Sequence, residues 1–162
     1  MIALFVGRFQ PFHLGHLQAV KEILGKNEKV VIAVGSSQES RTEKNPYSFE
    51  ERKGMIAEAL RADGVKGFRI IGVKDFMDDE RWASSITGQA EFDRVYTRNP
   101  WTERCFRKKG ITVRKHGVYV KGIRSTEIRR RISNGLEWES LVPVKVAELI
   151  KAGEKTSSKP MS

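Results

Sequence analysis

Two short stretches of this chain hold the side chains best suited to chemistry, and both suit phosphate. The first is Gly7-Arg8-Phe9-Gln10-Pro11-Phe12-His13-Leu14-Gly15-His16, which puts a guanidinium, two imidazoles and two glycines between an apolar run and a helical pattern. A strand-to-helix junction favours anions, because unpaired backbone N–H groups and the positive end of the helix dipole point into it. His13 and His16 are three residues apart, so a helix that begins near Leu14 turns both rings toward one ligand. Gly15 leaves room for a phosphate against the main chain. The second stretch is Ile123-Arg124-Ser125-Thr126-Glu127-Ile128-Arg129-Arg130. Ser125 and Thr126 fall where a helix start leaves N–H groups free, and Arg129 follows one turn later, which makes a second phosphate cradle.

Taken singly, each stretch has a plainer reading. Loop histidines are commonly just solvated, and a capped basic helix is ordinary. Paired histidines also bind metals, but a zinc site normally needs a third protein ligand. His116 and the single Cys105 make no such pattern with the pair, so no protein-held metal is expected.

The elements that must position these residues can be read from periodicity. Strand-length apolar runs alternate with helical stretches, the pattern of a parallel sheet covered by helices. Ile2 to Val6 reads as a first buried strand, and Gly15 to Leu24 as a helix packing back on it through Leu17, Val20, Ile23 and Leu24. Val30 to Val34, Phe68 to Val73, Phe92 to Thr97 and the weaker Ile111 to Lys115 read as further strands. Ser48 with Glu51 forms a capping box that opens a helix carrying Met55, Ile56, Ala59 and Leu60. A helix is expected over Glu80 to Thr87, and another from the Asn99 cap and Pro100 to Gly110. Ser125 is expected to cap a helix through Ile132 that stops at Asn134-Gly135, and Pro143 to open a last helix over Val144 to Lys151. The order predicts an α/β fold: a Rossmann-like, doubly wound, five-stranded parallel sheet with helices on both faces, then C-terminal helices. Such sheets bind ligands at the carboxyl ends of the strands where strand order reverses, which directs attention to the loops after the first and fourth strands.

Bulk properties narrow the class. A chain of 162 residues suits one domain, expected over residues 1–152, with 153–162 a polar, disordered tail. The balance of 30 Lys+Arg against 20 Asp+Glu gives a formal charge of +10, which attracts polyanions at long range. The basic residues are dispersed, as on a solvated surface. A lone cysteine permits no internal disulfide, and the apolar runs are far shorter than the roughly 20 residues a membrane span needs. No membrane association and no signal peptide are expected, and a cytoplasmic location follows.

Gly-Arg-Phe-x-Pro-Phe-His-x-Gly-His after a first strand resembles the signature of the HxGH nucleotidyltransferases. The second stretch resembles that superfamily's Ile-Ser-x-Thr-x-x-Arg, with Ser125, Thr126 and Arg129 in matching places and Arg124 where a serine is usual. Between them, Gly35-Ser36-Ser37-Gln38, Asn45-Pro46-Tyr47-Ser48 with Glu51-Arg52, Asp75 seven residues before Trp82, Phe92-Asp93-Arg94-Val95-Tyr96 and Asn99-Pro100 are similar to the archaeal-type nicotinamide mononucleotide (NMN) adenylyltransferases. Lys44 stands where that family often has Arg, and Arg98 where it often has Gly.

The resemblance implies adenylyl transfer from ATP to NMN, giving NAD and pyrophosphate. It implies catalytic roles for His13, His16 and Arg129, with His16 beside the α-phosphate and Arg129 and Lys44 on the leaving oxygens. Gly7, Arg8, Phe9, Gly15, Lys44, Ser125, Thr126 and Arg129 would bind ATP, and Ser37, Asp75, Trp82 and Asn99 would bind NMN. The indole of Trp82 suits a flat cationic pyridinium, whereas Trp101 and Trp138 read as packing residues. Mg²⁺ is expected to arrive on the ATP phosphates, and the family resemblance suggests a homo-oligomer. The rivals are transfer to flavin mononucleotide or phosphopantetheine on the same scaffold, and a basic nucleic-acid-binding module. No nucleic-acid-reading motif supports the latter, so no nucleic acid partner is expected.

Overall fold

Alternation along the strands decides which helices each face of the sheet receives. The computed structural model describes residues 1–117 and 123–157. In chain order these form β1 (Ile2–Gly7), α1 (Leu14–Leu24), β2 (Lys29–Val34), α2 (Phe49–Ala62), β3 (Phe68–Gly72), α3 (Asp79–Thr87), β4 (Arg94–Tyr96), α4 (Pro100–Arg107), β5 (Thr112–Arg114) and α5 (Ser125–Ser133). A 3₁₀ turn (Glu139–Leu141) and α6 (Val144–Ser157) follow.

All neighbouring strands pair in parallel, in the order β3-β2-β1-β4-β5. Strand order therefore reverses at β1, whose Phe5 pairs with Ile32 on one side and Tyr96 on the other. Ala3 and Phe5 of β1 join Val30, Ile32 and Val34 of β2 on one face, where α1, α2, α5 and α6 supply Val20, Ile56, Ile128 and Val146. Leu4, Val31 and Ala33 point to the other face, onto Trp82, Ala83 and Ile86 of α3 and Cys105 and Phe106 of α4. The doubly wound sheet with helices on both faces stands as expected.

Several local expectations need correction. Ser125 does not cap α5: the N-cap is Arg124, without a side-chain cap bond, and Ser125 is the first helical residue. Its hydroxyl instead donates to the Pro11 carbonyl at 3.1 Å. α4 stops at Arg107, short of Gly110, which turns the chain at φ +75°. Ladder pairing at the fourth and fifth strands covers Arg94–Tyr96 and Thr112–Arg114, with the Thr97 amide donating to the Arg114 carbonyl just beyond it. α6 runs past Lys151 to Ser157, so the polar stretch expected as a tail from Gly153 begins as helix, and residues 158–162 lie outside the described residues.

Candidate functional site

The loop leaving β1 is built around Phe9, a non-glycine residue at φ +52°. That backbone costs an L-residue roughly 1–2 kcal/mol, and burial of the ring holds it in place. Phe9 packs on Phe5, Phe12 and His16 with centroids 5.6, 5.8 and 4.8 Å away. Gly7 is required here, because a Cβ on it would lie 2.8 Å from the Phe9 ring.

The loop enters α1 through the two histidines, which cap the helix reciprocally. His13 Nδ1 accepts from the Gly15 and His16 amides at 3.0 and 3.3 Å, and His16 Nδ1 accepts from the His13 amide at 3.1 Å. A backbone amide only donates, so both Nδ1 atoms are bare of protons and each neutral ring carries its hydrogen on Nε2. The rings stack 3.6 Å apart at 19°. Burial holds His13 down at about pKa 4, and burial and then the neighbouring His13 push His16 well below the usual histidine value. The pair is thus two neutral N–H donors. Gly15 is required by this cap, since a Cβ there would lie 2.9 Å from the His13 ring.

Both rings line a cavity of about 710 Å³ at the carboxyl ends of β1 and β4. Gly7, Arg8, Phe9, Gly15, Asp75, Trp82 and Asn99 line it too, as do Ser36, Thr97, Arg98, Trp101, His116, Ile123 and Arg124. Trp82 is 4% exposed and packs at 4.6 Å on Trp101, whose Nε1 donates to Asp79. Trp101, expected only to pack, is therefore half of an aromatic wall. Ser37 is not among the lining residues; its amide donates to the Val73 carbonyl, and Ser36 faces the cavity instead, donating through Oγ to Asp75 at 3.0 Å. The other Asp75 oxygen accepts from Gln38 at 2.8 Å. Asn99 spends its Oδ1 capping α4.

A second cavity, of about 820 Å³, is lined by Arg8, Lys44, Tyr47, Thr126, Arg129 and Arg130 among others. Arg8 borders both cavities. Distant segments are stitched together between them. Arg129 Nη1 donates to the Gln10 carbonyl at 2.9 Å, beside the Ser125 bond to Pro11. Buried Gln10 also exchanges two hydrogen bonds with the Tyr47 backbone, which pins the loop that carries Lys44. The two sequence stretches thus meet, although Ser125 itself reaches neither cavity. Burial, and then the charge of Arg8, lower the pKa values of both Arg52 and Arg129. Guanidinium groups that repel one another form a ready anion site. Among the described residues no group of three or more His, Cys, Asp or Glu could hold a metal.

The sequence reading gives Gln10 and Arg52 no role and Trp101 only a packing one. Gln10 and Arg52 act through backbone carbonyls of other segments, which one-dimensional spacing does not reveal.

The cytidylyltransferase-like family matches residues 4–131. A nicotinamide-nucleotide adenylyltransferase of Methanolobus tindarius is 41% identical over 150 residues, covering 91% of this chain and 86% of that one. The Archaeoglobus fulgidus protein of the same name is 40% identical over 158 residues, covering 93% and 91%. A solved Francisella tularensis structure, a bifunctional NMN adenylyltransferase/ADP ribose pyrophosphatase complexed with AMP and a manganese ion, superposes with a TM-score of 0.77 at 28% identity. It covers 87% of this chain, which spans only 44% of that longer protein. Relatives this similar along nearly their whole length, together with the family match over residues 4–131, show that the chain belongs to the nicotinamide-nucleotide adenylyltransferases of the cytidylyltransferase-like family.

Proposed function

We propose that the chain transfers the adenylyl group of ATP to NMN, producing NAD and pyrophosphate. The observation that carries this is the meeting of two basic cavities at Arg8, one walled by tryptophans and histidines, the other by Lys44 and Arg129. The first suits two nucleosides with the reacting phosphates between them, and the second suits the leaving pyrophosphate. An NMN phosphate oxygen bonds to the α-phosphorus, the bond to the bridging oxygen breaks, and its electron pair leaves with pyrophosphate. No covalent enzyme intermediate is involved.

The protein aligns two anions and neutralises the charge that shifts to the leaving group. His16 and His13 donate Nε2–H to the α-phosphate and the adjoining triphosphate, as neutral donors whose orientation the helix start has already fixed. Arg8, Lys44 and Arg129 hold the departing oxygens, with Thr126 and the uncapped start of α5 beside them. Trp82 and Trp101 take the pyridinium ring, near Asp75 and Asn99. Mg²⁺ would be held chiefly by the ATP phosphates and would supply charge screening there. The reading includes a homo-oligomer working in the cytoplasm. A buried lone Cys105 fits a reducing compartment, and among the described residues no helix is long and apolar enough to cross a membrane.

Incubation with ATP and NMN, read by an NAD-dependent dehydrogenase couple, should show NAD, with flavin mononucleotide and phosphopantetheine inactive in parallel. His16→Ala should lower kcat about 100-fold with the fold intact. No NAD from the parent chain, or full turnover in the variant, would remove the reading or the role of His16 respectively.

A further inference from the structure

Arg52 is the largest of the fully buried side chains among the described residues, and each of its hydrogen bonds goes to a main-chain carbonyl. Nη1 bridges the Arg8 and Gly35 carbonyls at 2.8 and 2.7 Å, so the loops after β1 and β2 share one nitrogen. Nη2 reaches the Ser36 carbonyl at 3.0 Å, and Nε is anchored on the Ser48 carbonyl, at the start of its own helix, at 3.2 Å. A buried charge without a bonded carboxylate is an expensive cross-link, and its location accounts for it. Arg8 borders both cavities, whereas Ser36 faces only the first and holds Asp75 through its hydroxyl.

We propose that Arg52 is a positioning residue for adenylyl transfer: its planar fork fixes the Arg8 loop against the Ser36–Asp75 loops, and so sets the two reacting phosphates at their distance. The role rests on the reading of the chain as an NMN adenylyltransferase. Arg8 neutralises phosphate from one side of the fork, and the Ser36–Asp75 pair shapes the acceptor side from the other. Each substrate meets its own groups whether or not the fork is rigid. In-line transfer, however, needs both substrates in register, and a misplacement of about 1 Å is enough to cost about 100-fold in rate. A loosened fork therefore acts on turnover and spares the binding of either substrate alone.

The test is Arg52→Lys, which keeps the charge but cannot span the same carbonyls. Circular dichroism reads its fold, calorimetry reads the binding of NMN and of a non-hydrolysable ATP analogue separately, and the coupled assay reads kcat. The expected result is a folded protein with both binary affinities within about threefold of the parent and kcat down about 100-fold. A folded variant with kcat within roughly twofold of the parent overturns the proposal, and so does a kcat loss matched by equal losses of binary affinity. Should Arg52→Lys fail to fold, Ser36→Gly decides. Glycine accepts the φ of +50° found at Ser36 and removes only the hydroxyl link to Asp75. It is expected to lower kcat about tenfold with binary binding kept, and unchanged turnover there overturns the proposal. A parent that makes no NAD removes the functional reading and this role with it, whereas an active parent with an unaffected Arg52→Lys removes this role alone.

Discussion

A histidine whose Nδ1 accepts backbone amides can become a cation only on Nδ1, and that breaks the cap it makes. Protonating His13 therefore opposes both its burial and its two accepted bonds. The folded chain resists the proton down to about pH 4, while the unfolded chain takes it up near 6.5. Stability from this group is complete above pH 6.5, declines as pH falls below that, and is gone below about 4, an order-of-magnitude loss of about 3 kcal/mol. His16 acts in the same direction. His13→Asn keeps an acceptor at the cap and cannot titrate, so urea unfolding from pH 7 to 4 should show a shallower loss of stability than in the parent. Equal slopes in the two proteins would mean that His13 is protonated without cost. The sequence announced that these two rings share a site, because their spacing alone puts them on one turn. It gave no sign of the reciprocal cap, which depends on ring rotamers and on the missing Cβ of Gly15.

At the scale of elements, α5 is the piece that brings the second stretch to the first, and its start is unusual. Arg124 stands at the N-cap and makes no cap bond, so the first amides of the helix stay available beside the cavities. A serine there would satisfy one of them. Arg124→Ser should therefore raise stability by about 1 kcal/mol, or roughly 2–4 °C in Tm for a chain of this size. It should also raise KM for ATP, because a guanidinium leaves the cavity wall. A variant melting at or below the parent would show that those amides are already satisfied. Elements with strong periodicity or a side-chain cap are legible in the sequence: β1, β2, the Ser48–Glu51 box of α2 and the Asn99-Pro100 opening of α4 all stand where spacing puts them. The misreadings sit at ends decided by tertiary contact. Ser125 looked like a cap because its hydroxyl precedes a helical run, but Pro11, 114 residues away along the chain, takes that hydroxyl instead. The end of α6 was lost for a similar reason, since composition alone marks a polar stretch as tail although the helix that carries it packs against α2.

At the scale of the whole molecule, basic residues from distant segments line two adjoining cavities, a division expected to make the two substrates separable by mutation. Strand order alone located the cleft, because β1 is where the sheet reverses. That two cavities meet at Arg8 follows only from the docking of α5 and of the Gln10–Tyr47 latch. Lys44 lines the second cavity alone, Trp82 the first alone, and Arg8 both. Lys44→Ala should raise KM for ATP, and for pyrophosphate in the reverse direction, by about tenfold, and leave KM for NMN within about twofold. Trp82→Phe keeps a buried ring but shrinks the stacking face, so it should raise KM for NMN severalfold and leave ATP unaffected. Arg8→Ala should weaken both substrates and lower kcat as well, because the guanidinium lost borders both cavities. Steady-state kinetics on the three variants, with each substrate varied in turn, checks the pattern. If Lys44→Ala and Trp82→Phe each raised KM for both substrates equally, the two cavities would be acting as one undivided pocket and the placement of pyrophosphate in the second would fall.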